Sequence, residues 1–174
     1  PGGLSRSALP GSGFLYSTGY IHGIEHREGT TTQEHLALLG YLNSLTADWW
    51  TRRLVDRHMT APVLNNLPLP DWDENDIERV AGLAAELSRR EGVQSLPGGA
   101  ELTTGSSHQD EDRYEIRARI ESMVAKGYDL EREELDTVLS DFSTKAASEE
   151  LRNRIRELAV SDTSEAATPD QSDD

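Results

Sequence analysis

Apolar residues return at steps of three and four through most of this chain, and that spacing predicts helices. From residue 34 to about 57, Leu36, Leu38, Leu39, Leu42, Leu45, Trp49, Leu54 and Val55 form one stripe, the pattern of a helix with a single buried face. Thr31 or Thr32, just ahead of Gln33 and Glu34, can cap its start. Pro62 forbids continuation. The exit Asn65-Asn66-Leu67-Pro68-Leu69-Pro70 carries two prolines, which predicts an extended crossing rather than a central strand.

Asp73-Glu74-Asn75-Asp76 opens a second helix, with Ile77, Val80, Leu83, Ala84 and Leu87 on one face and Gly92 as its stop. A third helix is expected over residues 113–126, with Ile116, Ile120, Met123 and Val124 inward and Gly127 at its end. A fourth, over about 131–142, points Leu135, Val138, Leu139 and Phe142 inward. Only Gly127-Tyr128-Asp129-Leu130 separates these two, a length that suits a helical hairpin. Leu151, Ile155 and Leu158 mark a weaker last helix.

The remaining stretches break this pattern. Residues 1–13 are rich in Gly, Pro and Ser and read as loop. Residues 14–24 (FLYSTGYIHGI) carry aromatic and β-branched residues and predict one bent strand or two short ones. Residues 93–112 read as a linker, and 161–174 as a polar acidic tail without order. The expected fold class is therefore mixed α/β but mostly helical: a short β element and a long amphipathic helix, then a helical hairpin appendage over 113–160 and a disordered acidic tail.

Charge changes the picture along the chain. The whole carries 17 basic and 32 acidic residues, a formal charge of −15. Residues 1–66 hold five basic and five acidic residues, whereas 67–174 hold 12 basic and 27 acidic, so the entire deficit lies in the second part. Two of the 17 basic residues are lysines, Lys126 and Lys145. Arginine with dense carboxylate fits a salt-adapted cytoplasm, and arginine alone fits GC-rich codons equally well. There is no cysteine, which removes disulfides, thiolate nucleophiles and cysteine-based zinc sites and suits a cytoplasmic location. No apolar run reaches 18 residues, so no membrane span is expected. His22 and His26 share a face only on a helix, and their segment reads as strand, so no metal is expected there. The chain opens Pro1-Gly2-Gly3 without methionine and reads as a piece of a longer polypeptide.

Several short motifs occur in a telling order: Leu42-Asn43-Ser44 inside the first helix, the pair Trp49-Trp50, then Leu67-Pro68-Leu69-Pro70 and an acid-capped helix. Farther on come Ile120, Tyr128, Leu130, Glu133 or Glu134, Val138-Leu139 and Asp141-Phe142. This succession resembles the C-terminal, TaqI-like target-recognition region of adenine-specific DNA methyltransferases of type II restriction-modification systems. The resemblance covers roughly residues 14–92 and 113–142. It implies that 1–92 is the C-terminal part of a target-recognition domain, that double-stranded DNA is the partner, and that a methyltransferase domain lies upstream. S-adenosylmethionine would be that domain's cofactor, bound outside this chain. The Gly-rich cofactor turn and the Asn/Asp-Pro-Pro-Tyr/Phe motif have no counterpart here, so no catalytic residue is expected.

The DNA-facing candidates are Asn43, Ser44, Arg52, Arg53, Arg57, His58, Asn65 and Asn66. Arginines suit phosphate contact or guanine edges, and a solvated helix end, where cations complement the dipole, explains them as well. Asn43 and Ser44 could meet DNA or bond a neighbouring backbone. Trp49 and Trp50 point about 100° apart, so one belongs in the core and the other at an interface. A second reading is a helical module that docks on another protein, such as a nuclease or helicase subunit of a defence system, without touching DNA. Pairing of the arginines with Glu34, Asp48 or Asp56 would favour that reading.

Overall fold

The computed structural model describes residues 29–55, 61–90 and 112–165. They form seven helices: α1 Thr32–Leu42, α2 Leu45–Leu54, α3 Ala61–Asn65, α4 Glu74–Arg90, α5 Arg113–Gly127, α6 Arg132–Ser140 and α7 Glu149–Glu165. No strand occurs among the described residues, which corrects the expected mixed α/β class to an all-helical one. The apolar period in these segments is that of a helix throughout. The segment expected as strand, 14–24, lies outside the described residues, as does 93–111.

Three boundaries also differ from expectation. The single long helix from residue 34 is two helices, broken at Asn43-Ser44. Pro62 lies in the first turn of the short α3, so the extended crossing begins only after Asn66. The last helix continues to Glu165, past the residue at which disorder was expected to begin.

Local chemistry explains the ends. Thr31 caps α1 in a capping box: the Glu34 N–H donates to Thr31 Oγ1 at 3.2 Å, and the Thr31 N–H donates to Glu34 Oε2 at 2.6 Å. Asp73 accepts from the Asp76 N–H at 2.8 Å at the start of α4. Asp112 is the N-cap of α5, and the Glu131 N–H donates to Glu134 Oε2 at 2.9 Å ahead of α6. The α5–α6 turn passes through Asp129 at φ 52°, a left-handed conformation that Asp tolerates better than most residues.

Packing centres on α5, which is buried on two faces. Ile116, Ile120, Met123 and Val124 join Leu36, Ala37 and Tyr41 of α1 and Val80, Ala81, Leu83 and Ala85 of α4 in one cluster. Ala118 and Ala125 join Leu45, Leu135, Val138, Leu139, Phe142, Ala147, Leu151 and Ile155 in another. Segments on both sides of 91–111 therefore share one core. The α1–α4 crossing is close because small residues line it: a Cβ on Gly40 would stand 2.9 Å from Val80 Cγ1 and 3.4 Å from Ala84 Cβ. The α1 stripe read from its leucines is accordingly rotated. Leu36, Ala37, Gly40 and Tyr41 are its buried residues, while Leu38 and Leu42 pack only partly.

Candidate functional site

The motif-bearing stretches meet around the elbow between α1 and α2. Asn43 closes α1: its backbone N–H donates to Leu39 O at 3.2 Å and its side-chain amide to the same carbonyl at 2.9 Å. Ser44 then opens α2, its hydroxyl accepting the Ala47 N–H at 3.1 Å. Asn43 is exposed and Ser44 is buried. Both side chains thus bond the backbone of their own helices at the break.

The Leu67-Pro68-Leu69-Pro70 stretch is fastened beside this elbow by side chains distant in sequence. Tyr41, wholly buried, donates its phenol to Pro68 O at 2.7 Å. Tyr128 reaches the same carbonyl at 2.5 Å and lies 2.9 Å from the Tyr41 hydroxyl, so its single proton serves one of these two acceptors at a time. Burial raises the pKa of both phenols. The Trp72 indole donates to Met123 O at 2.9 Å, and the Asp71 N–H donates to Gly127 O at 2.6 Å. Gly127 is required here by close approach, since a Cβ would lie 2.5 Å from Pro70 Cβ and 2.6 Å from Trp72 Nε1.

At the first turn of α2, Glu121 of α5 is 3 % exposed. Both of its carboxyl oxygens lie 2.9 Å from the Leu45 N–H, which donates to them. Burial pushes this carboxyl up to about 7, opposed by hydrogen bonds from the Leu45 and Thr46 N–H groups and by Arg117, and assisted by Asp48.

The basic cluster is engaged within the molecule. Arg52 donates from Nε to Asp48 Oδ2 at 3.0 Å, with Nη2 at 2.7 Å, and its guanidinium carbon stands 4.7 Å from the centroid of Phe142. Arg53 pairs with Asp141 at 2.7 Å, donates to Trp49 O at 3.2 Å and stacks 3.3 Å over the Trp49 ring. Arg53 in turn holds the Asp141 carboxyl below its ordinary range. The Arg52 and Arg53 side chains remain 44 % and 42 % exposed, so each also presents an edge to solvent. Trp49 and Trp50 meet edge to face at 5.5 Å, and both are half-buried rather than divided between core and surface. Asn65 and Asn66 are exposed, and Asn66 donates to Pro62 O at 2.6 Å. Arg57 and His58 lie outside the described residues, as do His22 and His26.

Sequence reasoning missed Tyr41, Tyr128 as a bonding partner of Pro68, and Glu121. A signal for the last existed: Ala118, Glu121, Ser122 and Ala125 recur at i, i+3, i+4 and i+7, a second stripe on α5 made of small and polar residues.

No group of three or more His, Cys, Asp or Glu side chains among the described residues could hold a metal ion. No helix among them is long and apolar enough to cross a membrane. No family model matches the chain, and neither curated proteins nor solved structures yield a match.

Proposed function

We propose that this chain serves as the C-terminal portion of a site-specific adenine DNA methyltransferase of a cytoplasmic restriction-modification or related defence system, helping to position duplex DNA and read its sequence. The observation that carries this reading is the convergence of the motif-bearing stretches. Leu67-Pro68-Leu69-Pro70 and the Tyr128 turn lie far from Leu42-Asn43-Ser44 in sequence, yet Tyr41, next to that motif, and Tyr128 both meet Pro68 O, and Leu45 on its other side bonds Glu121 of α5. Stretches held together in this way suit one rigid scaffold. In this reading S-adenosylmethionine and the flipped adenine belong to an upstream catalytic domain, and the exposed edges of Arg52 and Arg53 meet phosphate or base.

One observation favours a second reading, a protein-docking module. Arg52 already pairs with Asp48, and Arg53 with Asp141, which lowers their availability to DNA. Mapping of N6-methyladenine in the native genome separates the two. In-frame removal of residues 32–160 should erase methylation at one sequence motif, and an unchanged methylation map would reject the methyltransferase assignment. The Arg52→Ala, Arg53→Ala double variant then decides the DNA-contact role. Lost methylation with an intact fold supports contact, whereas parental methylation with loss of a co-purifying subunit supports docking.

A further inference from the structure

A buried carboxyl is costly unless it is neutral or hydrogen-bonded, and Glu121 is not among the residues proposed to meet DNA. It sits where α1 breaks into α2, with Leu45 as the first helical residue beyond the Ser44 cap. The Leu45 N–H is one of the donors that a helix leaves without an internal partner, and Glu121 supplies the acceptor. The charged groups that face this carboxyl are Arg117 one turn earlier on α5 and Asp48 on α2. Asp48 is itself tied to Arg52. A proton on Glu121 therefore bears on the helix that carries Trp49, Arg52 and Arg53.

We propose that Glu121 is a proton-held latch between α5 and the start of α2: protonated, it stays buried and keeps the elbow closed; ionised, it is drawn to water and lets the first turn of α2 lift. The direction follows from solvation. Burial penalises the charged form, while the exposed form has its ordinary acidity. Protons therefore bind the closed state more tightly than the open one, and raising the pH through neutrality favours opening. Asn43 and Ser44 are the hinge, since Ser44 is already extended at φ −78° and ψ 157° and interrupts the helical ladder. The inference rests on the fold and does not depend on the proposed function.

Amide hydrogen exchange on the full chain tests it. After correction for the intrinsic pH dependence, protection of Leu45 and Thr46 should fall more than about tenfold between about pH 5 and about pH 8. In Glu121→Gln, which has no carboxyl to ionise, the same amides should keep constant protection. Constant protection in the parent, or an equal fall in Glu121→Gln, would overturn the latch. Should Glu121→Gln not fold, Asp48→Asn decides: removing the facing negative charge should move the midpoint to lower pH, and an unmoved midpoint overturns the proposal.

Discussion

The two faces of α5 are built on different principles. Toward α1 and α4 the contacts are tight and largely apolar: Gly40 lies against Val80 and Ala84, the Tyr41 and Tyr128 phenols meet at Pro68, and charge enters through the ion pair of Lys126 on α5 with Asp76 on α4 at 3.2 Å. Toward α2, α6 and α7 the face carries charge. Glu121 sits under the start of α2, and Arg152 is buried at 9 % exposure while donating to Phe142 O. Two arginine–aromatic contacts, Arg52 on Phe142 and Arg53 on Trp49, line its rim. The first face should respond to changes of size, and the second to changes of charge and pH.

Removing bulk from the face toward α1 and α4 should have the largest effect. Tyr41→Ala deletes a wholly buried ring and one of the two phenols at Pro68 O, so chemical denaturation should show a loss of about 3–5 kcal/mol, most of it from the lost packing. A loss below about 1 kcal/mol would mean that this face tolerates voids and that the contrast is false.

On the charged face the largest effect is of pH. Glu121 has its proton affinity raised from an ordinary 4.5 to about 7 in the folded chain. Between these values the native state binds more protons than the unfolded chain, so stability falls as pH rises from about 4.5 to about 7 and is level above. The span amounts to about 3 kcal/mol. Glu34, Glu115 and Asp141 are shifted the other way and lose their contribution on acidification. The parent must therefore be compared with Glu121→Gln, so that these shared terms cancel. Identical pH profiles for the two proteins would remove the distinction between the faces.

Two glycines sharpen the size argument. Gly127→Ala drives a methyl group against Pro70 and Trp72 and should destabilise by about 1–3 kcal/mol. Gly82 on α4 has nothing within 4 Å of an added Cβ, so Gly82→Ala should stabilise by about 0.5–1 kcal/mol through helix propensity. Thermal unfolding of both variants reads out the opposite signs.

Much of this architecture was legible where local chemistry decides it. The Thr31–Glu34 cap, the acidic start at Asp73 and the four-residue α5–α6 turn follow from residue type and spacing alone. The break at Asn43-Ser44 was hidden because Leu42 and Leu45 continue the helical spacing across it. What reveals the break is the Ser44 cap and Glu121, which comes from 76 residues away. The face of α1 was misjudged for a related reason: leucines mark hydrophobicity, but close helix crossings select small residues such as Ala37 and Gly40. For the candidate site, the sequence identified Arg52 and Arg53 as a cluster but could not reveal that Asp141 would bind one of them. That partner lies 88 residues away and meets it only in the folded chain.

Segments distant in sequence are joined at Pro68 by two phenols 87 residues apart. A double-mutant cycle of Tyr41→Phe and Tyr128→Phe, followed by chemical denaturation, measures that junction directly. A coupling of about 0.5 kcal/mol or more between the two hydroxyls is expected, because each remaining phenol can still serve Pro68 O when the other is lost. Additivity within about 0.3 kcal/mol would contradict it.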